Sequence, residues 1–435
     1  MKLKELKQII LKGGDKKTMK TKIKQEKGIT LIALVVTIVV LLILAGVSLN
    51  ALFGNSGIIE KAKEAQNKMD KATENDQKQI GELTNWIDNQ VNGTTGSDDN
   101  QTKLPKISTL VGTVVDKNTK AEDAYGNKIT IPKGFKILKH GTAAGSATYT
   151  YSGDNIPAVQ DGIVIENKTD GNQFVWVPVG TIKNKDNTTS TITLGRYSDF
   201  TAKNGVYTPA QVASVENCTQ EVTIDTYFKE LSTFREGNSA TDSTAQNATA
   251  RDLKTFIETS LANGGYYIAR FEASGTASKI TSKYNQTVFG DITQPNAAKA
   301  AREMYGEVKE NNEIVYASDL VNSYAWDTTI IFIQTYSTET DASSYASKNK
   351  STSFSKTGIN NDKYCNIWDM SGNTCEWTTE YSTVFGNGMV DLHGCRGGFY
   401  ISDADEDELY TSNRVDEFQC APPRIRGLRP LLYVK

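Results

Sequence analysis

The side chains able to do chemistry are few and widely spaced. The 435-residue chain has five cysteines, Cys218, Cys365, Cys375, Cys395 and Cys420, and two histidines, His140 and His393. Two histidines cannot furnish a multi-histidine metal centre. No Ser-His-Asp order can be defended around His393, whose neighbours Gly394 and Cys395 suit a loop. Five cysteines permit two disulfides and one remaining thiol. Cys395 and Cys420 flank one hairpin-like excursion and are a candidate pair, with buried free thiols as the alternative. The carboxylates Asp369 and Glu376 stand in the run WDMSGNTCEW. On residue types alone this is a tight loop, in which Trp368 and Trp377 bury large rings and Gly372-Asn373 supplies the turn.

The elements that would carry these residues follow from composition. Hydrophobic residues make up 38% of the chain and charged residues 23%, which is ordinary for a folded protein with loops. The formal net charge of −3 is not that of a nucleic-acid-binding chain, which would carry a clustered basic excess. The one basic concentration lies before Gly28, where ten lysines face only Glu5, Asp15 and Glu26. No charge then appears from Gly28 to Ile59. The apolar run Ile29–Leu49 is long enough to cross a membrane core of about 30 Å as a helix. The lysines in front of it keep the leader cytoplasmic and send the remainder outward. An ordinary signal peptide would have a shorter apolar core and a small-residue cleavage site, for which Ala45-Gly46-Val47-Ser48 is a poor competitor. An uncleaved signal anchor is the other alternative.

Beyond Gly54-Asn55-Ser56-Gly57 an amphipathic pattern resumes, with Ile58, Ala62, Ala65, Met69, Ala72, Ile80, Leu83 and Ile87 at helical spacing. The polar stretch 92–103 is a linker. After it, Thr109–Val115, Lys128–Pro132, Gly162–Glu166 and Phe174–Val179 are expected as short strands. Thr249–Ala262, Asn296–Tyr305 and Val321–Thr335 are expected as helices. The expectation is an α+β chain: a leader to residue 28, a long helix over 29–91, the linker, a β-rich lead-in over 104–173, and a main domain over 174–435.

The junction Lys27-Gly28-Ile29-Thr30-Leu31-Ile32 resembles the type IV prepilins. That resemblance implies cleavage by a prepilin peptidase between Gly28 and Ile29, N-methylation of Ile29, and a long pilin-like helix that anchors the chain and packs with other pilins. The family's usual glutamate at the fifth mature position is Ala33 here, and Met19 would give a leader of more usual length.

From residue 174 the chain resembles the formylglycine-generating-enzyme and sulfatase-modifying-factor family, whose fold is C-type-lectin-like. The segments are FVWVPV (174–179), YIARFEA (267–273), SYAWD (323–327), NIWDMSGNTCEWT (366–378), RGG (396–398) and GLRP (427–430). The resemblance implies a Ca²⁺ site formed by Asp369, Gly372, Thr374 and Glu376. Catalytic members hold copper through two cysteines five residues apart, whereas Cys420 has Val415 at that spacing. The related iron-dependent sulfoxide synthases need several histidines. The domain is therefore expected to bind rather than to catalyse. The excursion Phe399–Arg426 also resembles, in position and flanks, the variable region of proteins diversified by retroelements. It implies a recognition face that uses Phe399, Tyr400, Tyr410, Arg414, Phe418 and Arg424 against an extracellular macromolecule or glycan, at the cell membrane or on a surface pilus. The acidic run Asp403 to Glu408 within it reads as a solvated loop.

Overall fold

The computed structural model describes residues 103–435 except 139–157, 202–204, 215, 217–221, 224–227, 231–248, 338–341, 343–352, 361, 383–391, 399–409, 413 and 419–425. The chain divides into two compact units, Met1–Asn100 and Gln101–Lys435, and every described residue belongs to the second. Gly28, Ile29 and the segment 29–91 lie outside the described residues.

Two mainly antiparallel sheets carry the fold. In chain order the strands are β1 (Phe135–Ile137), β2 (Val164–Asn167), β3 (Gln173–Pro178), β4 (Val222–Thr223), β5 (Phe228–Glu230), β6 (Gly265–Ala269), β7 (Glu307–Glu310) and β8 (Glu313–Leu320). They continue with β9 (Cys375–Ser382), β10 (Leu392–Arg396), β11 (Arg414–Phe418), β12 (Arg426–Leu428) and β13 (Pro430–Val434). The first sheet has the order β7-β8-β13-β6-β3-β2-β1, and the second runs β4-β5-β9-β10-β11 with β12 parallel to the start of β9. Only Arg429 separates β12 from β13, so the chain passes from one sheet to the other at that residue.

The centre of the first sheet is apolar on both faces, as expected of strands covered on both sides. Every residue of β3, β6 and β13 is buried. Trp176 and Tyr267 meet edge-on at 4.9 Å across β3 and β6, and Phe135 makes further edge contacts with Phe174, Tyr305 and Tyr316. Three helices pack around the sheets. α1 (Leu253–Asn263) starts where the Asp252 side chain accepts from the Thr255 amide and ends on left-handed Gly264. α2 (Gln294–Glu303) has Pro295 in its first turn. α3 (Ser323–Tyr336) is capped by Asn322, which accepts from the Ala325 amide. Its residues from Ser323 to Gln334 are all buried, the polar Asp327, Thr328, Thr329 and Gln334 among them, so the helix is internal.

The expectation of an α+β chain led by a long pilin-like helix is corrected here. The described chain is β-rich with few helices, and the longest of them, α3, has 14 residues. No helix among the described residues is long and apolar enough to cross a membrane. Thr109–Val115 is not a strand either. A single helical turn covers Ile107–Leu110, and the chain then turns at Gly112, so Val111 and Val114 make only isolated bridges to β1.

Candidate functional site

The loop between Trp368 and Trp377 is built as its residue types require. Gly372 and Asn373 take left-handed backbone angles, and Asp369 does so as well. Trp377 is buried with its Nε1 donating to the Ile292 carbonyl, while Trp368 is half-buried and stacks on Phe271. The loop is held from outside by Glu272, the residue after Phe271 in YIARFEA. Its Oε1 accepts from the Thr374 amide at 2.9 Å and the Thr374 hydroxyl at 2.7 Å, and its Oε2 accepts from the Asn373 side chain. Gly372 N donates to the Gly397 carbonyl, which ties the loop to the end of β10.

Two of the expected calcium-ligand residues, Asp369 through its backbone carbonyl and Glu376 through one carboxylate oxygen, meet a guanidinium. Asp369 and Glu376 are fully buried, and so is Arg429 between them. Arg429 Nη2 donates to Glu376 Oε1 at 2.8 Å and to the Asp369 carbonyl at 2.6 Å. Its Nε reaches Glu376 Oε1 at 3.2 Å, and its Nη1 reaches the Ala269 carbonyl at 3.1 Å. Asp369 Oδ2 accepts from the Gly358 amide. Burial pushes the Glu376 carboxyl up to about 8 against the pull of Arg429. Burial also raises Asp369, helped by Asp362 and Glu272, and raises Glu272, helped by Glu376. Calcium takes six to eight oxygens at about 2.3–2.6 Å. No three His, Cys, Asp or Glu side chains among the described residues are grouped to hold a metal. Asp369 Oδ1 and Glu376 Oε2 are buried with no hydrogen-bond partner among the described residues, and hard oxygen donors of this kind are what a calcium ion takes.

A second charged centre joins the end of β10 to the start of β11. Arg396 closes β10 and Arg414 opens β11, and the two are register partners across the strands. Both turn inward. Arg396 Nη2 contacts Asp327 Oδ1 at 2.6 Å, and Arg414 Nη2 contacts Asp327 Oδ2 at 2.9 Å. Arg414 Nε meets Glu380 Oε1 at 3.2 Å, Arg396 Nη1 lies 3.5 Å from Glu380 Oε2, and Arg196 Nη2 adds a 2.7 Å bond to Glu380 Oε1. Asp327 also accepts from the Tyr197 amide, and Trp326 Nε1 donates to the Thr411 carbonyl. Burial alone would raise Glu380, but Arg414, Arg196 and Arg396 together hold its carboxyl well below the ordinary range. Glu230 on β5 completes the set: it accepts from the Ser323 amide at 2.7 Å and from the Thr379 hydroxyl, and burial with the nearby Glu380 charge pushes it up to about 7.

The sequence-derived recognition residues fall at different depths around this centre. Phe399, Tyr400 and Arg424 lie outside the described residues. Tyr410 is half-buried on the descending side of the excursion. Arg414 belongs to its base, with 10% of its side chain exposed. Phe418 pairs through its backbone with Leu392 at the far end of β11. The cysteines follow the free-thiol alternative: Cys365, Cys375 and Cys395 are unbridged, so Cys395 is not paired with Cys420. Cys375 and Cys395 both lie buried in the apolar cluster with Trp377 and Leu428. His393 lies on β10 rather than in a loop. It is buried against the Glu380 carbonyl through Nδ1 at 2.8 Å, and burial drives it down to about 3, so it stays neutral.

Six of the residues that build the two centres, Glu272, Asp327, Glu380, Arg396, Arg414 and Arg429, were visible as letters but were not assigned to one another. One available signal was a charged residue embedded in an apolar motif, as in ARFEA, YAWD and GLRPLL, because such a charge must find a partner once its neighbours are buried.

No protein-family model and no curated protein matches this chain. Two solved structures show a slight likeness. Treponema denticola variable protein 1 is 11% identical with a TM-score of 0.25, covering 60% of this chain and 96% of that one. The Major Tropism Determinant I1 variant is 12% identical with a TM-score of 0.19, covering 77% of this chain and 100% of that one. Neither likeness, at those scores, fixes the fold or the function.

Proposed function

We propose that the domain 103–435 is a non-catalytic binding module that recognises its ligand through residues of the segment Phe399–Arg426. The observation that carries this reading is the clamp at the base of the connection from β10 to β11. Arg396 on one side and Arg414 on the other are held by the same two carboxylates, Asp327 and Glu380, and Thr411 is held by Trp326. A connection of this length on a buried, cross-braced base can vary in sequence without disturbing the core that holds it. Aromatic and arginine residues such as Phe399, Tyr400, Tyr410 and Arg424 are the types enriched at interface hot spots. The buried, neutral His393 and the unreactive Cys375, whose thiol is raised first by burial, supply no acid, base or nucleophile at the surface.

The ligand class that suits such a surface is an extracellular macromolecule or glycan. The charge boundary at Gly28 and the apolar run after it support export with this domain outside the cell. Full-length protein is tested against a glycan array and a panel of purified extracellular-matrix proteins. Alanine at Phe399, Tyr400, Tyr410 or Arg424 is expected to abolish capture, with a cost of about 2 kcal/mol or more for each hot-spot residue, while leaving melting unchanged. Retained capture with a lowered melting temperature would assign these residues to packing. Copper-dependent conversion of a cysteine-containing peptide to its formylglycine form would replace the binding assignment with an oxidase.

A further inference from the structure

We propose that a cleft between α2 and the turn from β2 to β3 binds a free α-amino acid with an apolar side chain. The cleft has a volume of about 350 Å³, at the small end of the range for ligand sites. Three parts of the chain form it. The turn after β2 supplies Asp170, the hairpin Ser274–Thr281 supplies Lys279 and Ile280 with Lys283 just beyond it, and the C-terminal end of α2 supplies Ala300 and Met304. No residue that lines it belongs to Phe399–Arg426, so the cleft is separate from the recognition surface proposed above.

The walls are set before any ligand arrives. Asp170 Oδ1 accepts from the Asn172 amide at 2.9 Å and from the Tyr305 hydroxyl at 3.2 Å, while Oδ2 has no hydrogen-bond partner among the described residues. Asn172 Oδ1 accepts from the Ser282 amide at 2.9 Å, which fastens the turn to the hairpin. Lys283 lies beside the turn, its Nζ 3.9 Å from where a Cβ on Gly171 would stand. Neither Lys283 nor Lys279 makes an ion pair among the described residues. Ile280 and Ala300 are buried and Met304 is half-buried, which gives the cleft an apolar side. The charges decide the ligand class. A simple anion is repelled by Asp170, and a simple cation by the two lysines. A zwitterion satisfies both, with its ammonium on Asp170 and its carboxylate on Lys283 or Lys279, and its apolar side chain leaves water against Ile280, Ala300 and Met304. No aromatic ring lines the cleft for the face of a sugar to stack on.

The test titrates the full-length chain with L-leucine in a calorimeter, beside N-acetyl-L-leucine, which lacks the ammonium, and L-leucinamide, which lacks the carboxylate. Leucine is expected to give saturable heat, and each derivative to bind about tenfold more weakly or worse, as the loss of one charged hydrogen bond implies. Asp170→Asn, which keeps an acceptor for the Asn172 amide, and Lys283→Met are each expected to lose leucine affinity by the same factor. Lys168→Ala, in the same turn but outside the cleft, is expected to bind as the wild type does. Absence of saturable heat with L-leucine, L-valine, L-isoleucine and L-methionine would overturn the proposal, as would equal binding of leucine and its N-acetyl derivative. Binding of N-acetylneuraminic acid in place of the amino acids, lost in Lys283→Met, would reassign the cleft to an acidic sugar. If a variant fails to fold, the comparison of leucine with its two derivatives on the wild type still decides it.

Discussion

Glu376 and Glu380 stand four residues apart on β9 and have opposite environments. Glu376 shares one arginine among several carboxyls, and burial raises it; Glu380 has three arginines, and they outweigh burial. Its neighbour Glu230 behaves like the first: burial and the Glu380 charge raise it from 4.5 to about 7. The sign of its effect on stability follows from proton uptake. Between pH 4.5 and 7 the folded protein holds a proton that the unfolded chain has released, so stability is lost as pH rises through that window. Glu380 works the other way, and its contribution is present above its ordinary value of 4.5 and is lost as pH falls below it. Glu230→Gln is expected to flatten the decline between pH 4.5 and 7 by an amount on the order of 3 kcal/mol, measured by urea unfolding at several pH values. An unaltered slope in the variant would mean that Glu230 is not the group releasing the proton.

At the scale of elements, α3 does more than fill the core. Its second turn carries Asp327, which holds Tyr197, Arg396 and Arg414 from three different segments. Removing one partner from a buried ion cluster leaves the others uncompensated, at a cost of about 3–5 kcal/mol. Asp327→Ala is therefore expected to destabilise by about that amount, and Asp327→Asn, which retains an acceptor, by less; urea unfolding curves compare them. Equal losses would show that the packing volume of Asp327 matters rather than its acceptors. The helix itself was legible in the sequence as Val321–Thr335, with the apolar residues Ile330 to Ile333 at its centre. β2, β3 and the loop turn at Gly372-Asn373 were legible for similar local reasons. The ion clusters were not, because pairing Arg396 with Asp327, or Arg429 with Glu376, depends on how two sheets meet, and periodicity carries no record of that. The same limit hid Arg429 from the reading of the loop: Asp369 and Glu376 were visible, but the guanidinium that meets them comes from a residue more than fifty positions after Glu376 in the chain.

For the whole molecule, the export reading makes a direct prediction. Mass spectrometry of the membrane-extracted protein is expected to find Ile29, methylated or not, as the first residue, and an intact Met1 or Met19 would remove prepilin-type processing from the account. The arrangement of the first sheet bears on how such a protein is made. β13 follows all the other strands in the chain, yet it lies in the middle of the sheet, with β8 on one side and β6 on the other. Until β13 arrives, β7 and β8 form a hairpin with no neighbour, and the half-sheet β6-β3-β2-β1 has an open inner edge. Non-local pairings of this kind slow folding and leave unpaired strand edges exposed meanwhile. In this topology commitment to the native sheet is deferred until β13 is delivered, because only then are its two halves joined.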